Sequence, residues 1–354
     1  MASGADRDVA SPVPRSADVA RLAGVSRKTV SRVLNDEPYV SEEARRRVLA
    51  AAEELGYRLN HAARALASGR TRSLGVVALG TAGYGTASLL VHIEQAVRDA
   101  GYALRVINTP DGDPEGIAGA LGSLLEQGVD GVIVSEPVVK GDVPLRVDVP
   151  VLFLGAPPSF TATRTVTVSV GARQLARAAT EHLLDLGHQT VHHLAGPRQW
   201  YATRDRIEGW RAALAARGAY EPPLLNGDWS AASGYAAGHA LASDTSVTAV
   251  FAGGDEMAIG LIHALREAGR RVPRDISVVG FDGNPVFAYV SPPLTTVRQP
   301  FAAAAREGVR LLVHTIEEPD AELPPASEPP VELVVRASTA PPPTHPSLLA
   351  PRGT

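Results

Sequence analysis

The chain contains no cysteine. That excludes a disulfide framework, a thiolate metal site and a cysteine nucleophile, and it suits a reducing compartment. No apolar run approaches the roughly 20 residues of a helical membrane span. The opening residues, MASGADRDVASPVPR, lack the apolar core of a secretory signal. A cytoplasmic, nucleoid-associated protein with no membrane partner is therefore expected. A P-loop and a G-x-S-x-G elbow are also missing. Gly80, Gly83 and Gly85 follow a strand pattern, but their spacing is G-x-x-G-x-G, and the next strand ends in Asn108 and Thr109 where a ribose-binding acid belongs. No nicotinamide or flavin cofactor is expected. His188, His192 and His193 do not suggest a metal, because adjacent strand residues face opposite ways, and hydrogen-bonded or solvated roles are expected instead. No acid pair has a spacing that forces a catalytic role, so the chain does not read as an enzyme.

Charge is present but unevenly placed. The 354 residues carry a formal net charge of −4. Residues 15–72 hold 12 Lys and Arg against 7 Asp and Glu, and the rest of the chain holds 22 against 31. A basic head on an acidic body concentrates attraction for phosphate in the head.

Within that head, DVARLAGVSRKTVSRVLN (18–35) reads as two short helices joined at Gly24. Val19, Ala20 and Ala23 form the apolar stripe of the first, and Val30, Val33 and Leu34 that of the second. Ser26 is placed to cap the second helix by accepting from the backbone N–H of Lys28 or Thr29. Arg27, Lys28, Thr29, Ser31 and Arg32 are left for solvent. Such a second helix enters a major groove, where a guanidinium reads guanine and hydroxyls hold phosphates. The alternative is a solvated helical hairpin in an unrelated bundle. Ser41 begins a third helix with Val48, Leu49, Ala52 and Leu55 as its buried stripe, and Arg45 to Arg47 are available for phosphate. Next, NHAARALASG is a two-turn alanine-rich segment too short to fold alone, either a helix that forms on a partner or a plain linker.

From Leu74 onward, strands at 74–79, 103–109, 130–135, 150–155 and 165–170 alternate with helices at 89–102 and 117–129. A second series follows, with helices at 172–188, 205–218, 230–243 and 256–269 and strands at 190–196, 249–254 and 276–283. Helix 302–318 and strand 331–339 close it. Two doubly wound parallel-sheet α/β lobes are expected, with a cleft between them. The expected units are a disordered arm (1–14), a helix-turn-helix domain (15–59), a hinge helix (60–70), a first lobe (71–169 and 299–328), a second lobe (170–298 and 329–340) and a disordered proline-rich tail (341–354). Ligands of such sheets sit beyond the carboxyl ends of the strands. Arg206 and Asp282 lie there, with Trp200 and Trp229 as flat faces on which a sugar can stack. Asp255 also lies at a strand end, and a cap on the helix EMAIGLIHAL is the reading taken for it.

DVARLAGVSRKTVSRVLN, NHAARALASG, DRIEGW, GGDEMAIG, DISVVGFDG and PPLTTVRQPF occur in that order. Over about residues 15–340 the chain resembles the lac repressor-type (LacI/GalR) family of bacterial transcription factors. The resemblance implies that Arg27 and Lys28 read bases, that Arg32 supports them, and that Leu66 is a wedge inserted into the minor groove. The DNA-facing set is completed by Ser26, Thr29, Ser31 and Asn35, and in the hinge by Asn60, His61 and Ala63. A periplasmic-binding-protein-like core with three crossovers between lobes is implied. There Arg206 and Asp282 contact the effector, Trp229 and Phe301 add apolar contacts, and Gly254 stands where the family usually has asparagine. Gly171 and Ala172 replace a common Asp-Asn pair, and Arg15 replaces a threonine cap that Ser16 can supply. The expected function is a homodimeric repressor binding a pseudo-palindromic operator under control of a small ligand, a sugar or sugar derivative. The alternatives are a solute-binding protein of the same core fold, which needs a secretion signal, and a sugar-metabolising enzyme with a Rossmann core.

Overall fold

Three helices form the head in this computed structural model, which describes residues 14–34, 38–57, 69–79, 83–109, 114–135, 146–155, 161–162, 164–327 and 330–343. The expected arm except Pro14, Asn35, the expected hinge except Gly69 and Arg70 (with it Asn60, His61, Ala63 and Leu66), and the tail from 344 onward lie outside the described residues. Helices α1 (Ser16–Ala23), α2 (Arg27–Leu34) and α3 (Glu42–Glu54) share one core of Val19, Ala20, Ala23, Val30, Val33, Val48, Ala51 and Ala52. Gly24 takes the left-handed φ of 62° that turns the chain between α1 and α2. Two expectations are corrected here. Arg15, not Ser16, precedes the first turn of α1, and its backbone N–H is held by the Asp18 carboxylate at 2.9 Å. Leu49 is half exposed, because Val48 and its helical neighbours Ala44, Ala51 and Ala52 define the buried line, and a residue 100° further round falls off it.

The chain divides after Thr71 into two compact units, and the second holds two sheets. Strands β1 (Ser73–Leu79), β2 (Ala103–Thr109), β3 (Gly131–Ser135), β5 (Val151–Leu154) and β7 (Thr165–Val168) pair in parallel in the order β2-β1-β3-β5-β7. Alternate residues feed opposite faces, as the period of two in a strand requires. Val76, Ile133, Leu152 and Leu154 pack under helix α4 (Tyr84–Asp99), while Val77, Val132, Val134 and Phe153 pack under α5 (Pro114–Glu126). Short strands β4 (Arg146–Val147) and β6 (Thr161–Ala162) pair separately.

The second sheet has the order β13-β12-β11-β10-β8-β9, from β8 (His192–Ala195), β9 (Leu225–Asn226), β10 (Ala249–Ala252), β11 (Ser277–Asp282), β12 (Thr295–Arg298) and β13 (Glu332–Val334). Only the edge strand β13 is antiparallel. Helices α6 (Ala172–Asp185) and α7 (Tyr201–Ala216) cover one face through Leu175, Leu183 and Trp210. Helices α8 (Ala231–Ala242) and α9 (Asp255–Glu267) cover the other through Leu241, Met257 and Leu261. Helix α10 (Phe301–Glu317) lies between β12 and β13 in the chain, yet Phe301, Ala305 and Leu312 pack on the first sheet. The chain therefore passes between sheets after β7, after β12 and after α10.

Several boundaries differ from the sequence expectation. Helix α4 starts five residues earlier than the apolar pattern indicates, because its first turn contains Gly85 and is stabilised locally by the Thr86 hydroxyl donating to Gly83 O at 3.1 Å. Strands β4, β6, β9 and β12 are additional, and the expected strand 331–339 is regular only over β13. Beyond it the backbone is held by side chains, the buried Ser338 accepting from Thr295 N–H at 2.8 Å and donating to Val278 O at 2.6 Å. Among the described residues no helix is long and apolar enough to cross a membrane.

Candidate functional site

The head presents a cationic helix start. Ser26 Oγ accepts from the Thr29 backbone N–H at 3.1 Å and shares a 2.9 Å hydrogen bond with the Thr29 hydroxyl. Of the two N–H groups the sequence offered, Thr29's is the one capped. Arg27 and Lys28 stand exposed in the first turn of α2 with no acid beside them, Ser31 is exposed, and Arg32 is half-buried. Two cations at the positive end of a helix dipole oppose it, at a cost of about 0.3–1 kcal/mol each that an anion at that end would offset.

In the core, residues far apart in sequence meet at the cleft between the lobes. Arg206, on the second turn of α7, is buried. Its guanidinium donates to Gly253 O, lies 3.8 Å from Asp282 Oδ1, and has its centre 4.0 Å from the Phe281 ring centroid and 4.8 Å from that of Trp229. Cation–π contact with two rings, together with the ion pair, fixes the fork in place. Asp282 ends β11 with φ of 119°, and its Oδ1 also accepts from Gln299 Nε2 at 2.6 Å. Trp229 is half-buried at φ 74°, and its ring presses on Gly196, where any Cβ would overlap it. A Cβ at Gly254 would stand 3.7 Å from the Trp229 ring and 3.8 Å from Asp282 Oδ2, so this glycine leaves room beside both. From the first lobe come Gly83, Gly85 and Thr86.

Two other expected residues lie behind this surface. Trp200 is buried, edge-on to Trp229 at 6.2 Å and packed against Ile117 of the first lobe, so it braces Trp229 and presents no open face. Phe301 is buried at the start of α10, edge-on to Tyr84 at 6.4 Å, and lines a neighbouring chamber with Tyr201, Asp205 and Gln299. Asp255 does not cap its helix. Gly254 is the cap residue, and the Asp255 carboxylate accepts from Asn284 N–H at 2.8 Å and the Thr296 hydroxyl at 2.6 Å, bracketing β11 to β12. Burial, reinforced by the negative charge of Asp282, raises its pKa well above the ordinary carboxylate range.

His188 and His193 are engaged separately, whereas His192 Nδ1 is buried without a hydrogen-bond partner among the described residues, against the expectation of a bonded or solvated ring. His188 bonds Thr248 Oγ1 at 2.9 Å and Ala340 O at 3.0 Å. His193 is fully buried, stacked on Phe251 at 4.5 Å and bonded through Nδ1 to Phe251 O at 2.9 Å. Burial, aided by Arg206, pushes its pKa down to about 4, so it is neutral at pH 7 and Nδ1 carries the proton. No cluster of metal-binding side chains occurs among the described residues.

Sequence reasoning missed three participants. Phe281, adjacent to Asp282, supplies the shorter of the two cation–π contacts of Arg206. Gln299 anchors Asp282, and Glu256 accepts from the Tyr84 backbone N–H across the cleft at 3.0 Å. Glu256 and Gln299 stand inside segments already singled out, GGDEMAIG and PPLTTVRQPF, but their direction depends on helix and strand phase that the segments do not reveal.

Comparison with known proteins follows the same division. Residues 17–60 match the family model described as bacterial regulatory proteins, lacI family, and residues 180–339 match a periplasmic binding protein-like domain. The HTH-type transcriptional repressor PurR of Photobacterium profundum is 32% identical over 328 residues, covering 91% of this chain and 97% of its own. The crystal structure of the lac repressor dimer bound to operator and the anti-inducer ONPF superposes with a TM-score of 0.76 at 31% identity, covering 92% of this chain and 99% of that one. The structure of the transcriptional regulator CelR in complex with cellobiose gives a TM-score of 0.67 at 31% identity, with the same two coverages. A head of three helices, a core of two α/β lobes and similarity over nine-tenths of the length all point the same way: the chain belongs to the LacI family of bacterial regulatory proteins.

Proposed function

We propose that this protein is a homodimeric, cytoplasmic transcriptional repressor, not an enzyme, that binds a pseudo-palindromic operator and responds to a saccharide held between its core lobes. The carrying observation is the exposed Arg27–Lys28 pair at the positive end of α2, a charge arrangement that phosphate and guanine edges would relieve. Arg27 and Lys28 read bases in this account, Arg32 supports them, and Ser26, Thr29, Ser31 and Asn35 contribute polar contacts. The hinge residues Asn60, His61, Ala63 and Leu66 order on the minor groove, with Leu66 as wedge. Val286 and Tyr289, 62% and 91% exposed at the turn after β11, supply apolar surface suited to a second copy. Arg206, Asp282 and Trp229 hold the saccharide, braced by Trp200 and Phe301, with space at Gly254. The relative crystallised with cellobiose supports a sugar. The solute-binding alternative leaves the lacI-family match at 17–60 without a role.

Fluorescence anisotropy with DNA from upstream of the gene, with and without saccharides, tests the proposal. Arg27→Ala and Lys28→Ala should each weaken specific binding by about 1–3 kcal/mol and relax base preference, with ligand binding retained. Unchanged preference for operator over random DNA in both variants would refute the assignment.

A further inference from the structure

The cleft contains two features that ordinarily attract anions, and each already faces a carboxylate of the protein. The first is the Arg206 guanidinium. One of its nitrogens donates to Gly253 O, another lies 3.8 Å from Asp282 Oδ1, and its centre is in cation–π range of both Phe281 and Trp229. The second is the N-terminus of the 16-residue α4, where a phosphate would ordinarily be welcome. There the Tyr84 N–H donates to Glu256 Oε1 at 3.0 Å, so a side chain from the opposite lobe sits where a ligand anion would go. The adjoining chamber adds a third carboxylate, Asp205. Its cationic neighbours are Arg173, paired with Glu208, Arg206 itself, and Arg204, which lies over the Tyr201 ring at 5.6 Å. The described cleft lining thus holds Asp205, Glu256 and Asp282 against Arg206.

From this charge balance we infer that the effector is a saccharide carrying neither phosphate nor carboxylate, and that Glu256 enforces the exclusion by occupying the N-terminus of α4. This inference rests on the saccharide reading of the cleft proposed above. A neutral sugar can use the described groups as they stand: hydroxyls donate to Asp282 and Glu256, its apolar face lies on Trp229, and the guanidinium need not leave its carboxylate. A phosphorylated or oxidised sugar must instead displace Glu256 or accept its repulsion, because like charges brought together in a partly desolvated site oppose binding.

Calorimetry on the full-length protein with matched pairs isolates the charge. The probes are glucose against glucose 6-phosphate and glucuronate, galactose against its 6-phosphate and galacturonate, ribose against ribose 5-phosphate, and cellobiose. In any set that binds, the neutral member should be favoured by on the order of a hundredfold. Glu256→Gln keeps an acceptor for the Tyr84 N–H while removing the charge. Without ligand it should leave operator affinity at the wild-type value, and it should narrow the discrimination between neutral and anionic members by about tenfold. An anionic member binding as tightly as its neutral partner overturns the inference. Unchanged discrimination in Glu256→Gln removes Glu256 from it. Silence of every sugar, neutral and anionic, overturns the saccharide reading itself.

Discussion

The two lobes of the core contribute to the cleft in different currencies. The second lobe supplies side chains, Arg206, Trp229, Glu256 and Asp282, and most of these are fixed by other side chains or backbone of the same lobe. Among the described residues, two glycines, a threonine and a helix N-terminus come from the first lobe, and the Thr86 hydroxyl donates inside its own turn. A site whose polar groups are held before the ligand arrives loses little freedom on binding. Recognition should therefore be concentrated in the second lobe, with the first acting as the surface that closes on the bound ligand. The strongest way to break that contrast is Arg206→Ala. It leaves Asp282 buried without its cation and removes the cation–π partner of two aromatic rings, and losing one partner of a buried pair costs about 3–5 kcal/mol. Thermal denaturation should show the core destabilised by that order, and the operator complex should lose its response to ligand.

Next in size is a pH effect confined to the second lobe. His193 lies beneath Arg206 with its pKa depressed from 6.5 to about 4. Between those values the unfolded chain binds the proton and the folded one does not. Its contribution to stability is thus complete above pH 6.5 and declines as pH falls toward 4. The full difference is about 3 kcal/mol. His193→Gln keeps a donor for Phe251 O but cannot titrate. Subtracting its stability profile from that of the wild type should give a curve rising from pH 4 to 6.5 and flat above. A flat difference throughout would show that the imidazole is not protonated on unfolding.

The lobes also differ in how much the sequence revealed. The alternation of apolar runs with amphipathic helices identified both lobes, because each strand is covered on two faces and so reads as continuous Val, Leu, Ile and Phe. Within the head, period 3.6 placed Val19, Val30 and Val48 correctly, and Ser26 announced its cap. The convergence of Arg206, Asp282 and Trp229 on one cleft was legible because strand ends of α/β folds gather at the switch between lobes. What could not be read was direction. Asp255 at the head of a helix looks like a cap, yet its carboxylate turns to Asn284 and Thr296 on the following loop and strand. Trp200 and Trp229 look equivalent in sequence, but packing against Ile117 buries the first. β12 was missed for a similar reason: TTVR is four residues with no apolar run, and only its neighbours on both sides make it a strand.

A smaller effect sharpens the contrast without touching a charge. Gly196 lies under the Trp229 ring, and a methyl group there would overlap it. Gly196→Ala must therefore move the indole, which lies on the guanidinium and beside the space at Gly254. The strain of overpacking is about 1–3 kcal/mol. Ligand affinity should drop by a comparable amount, while operator affinity without ligand stays that of the wild type. Gly254→Asn is the informative companion, because its Cβ meets only ordinary contacts and it restores an amide between Trp229 and Asp282. It should fold normally and change which sugar is preferred. Retention of the wild-type preference by both variants would place the sugar away from Trp229.

The smallest expected effect belongs to the first lobe, and it decides the comparison. Thr86 faces the cleft, but its hydroxyl donates to Gly83 O one turn back, at 3.1 Å, so it has already spent its proton. Thr86→Ala removes the local hydrogen bond to Gly83 O, a loss of about 0.5–1.5 kcal/mol of stability. It should shift ligand affinity by a few-fold at most, because the oxygen can act toward a ligand only as an acceptor. Calorimetry beside Arg206→Ala measures both lobes on one scale. If Thr86→Ala abolishes the ligand response as fully as Arg206→Ala does, the first lobe recognises the ligand as strongly as the second, and the division between a prearranged second lobe and a closing first lobe is wrong. If it leaves the response intact, closure over α4 depends on backbone and on Glu256, whose bond to the Tyr84 N–H is then the interlobe contact to test next.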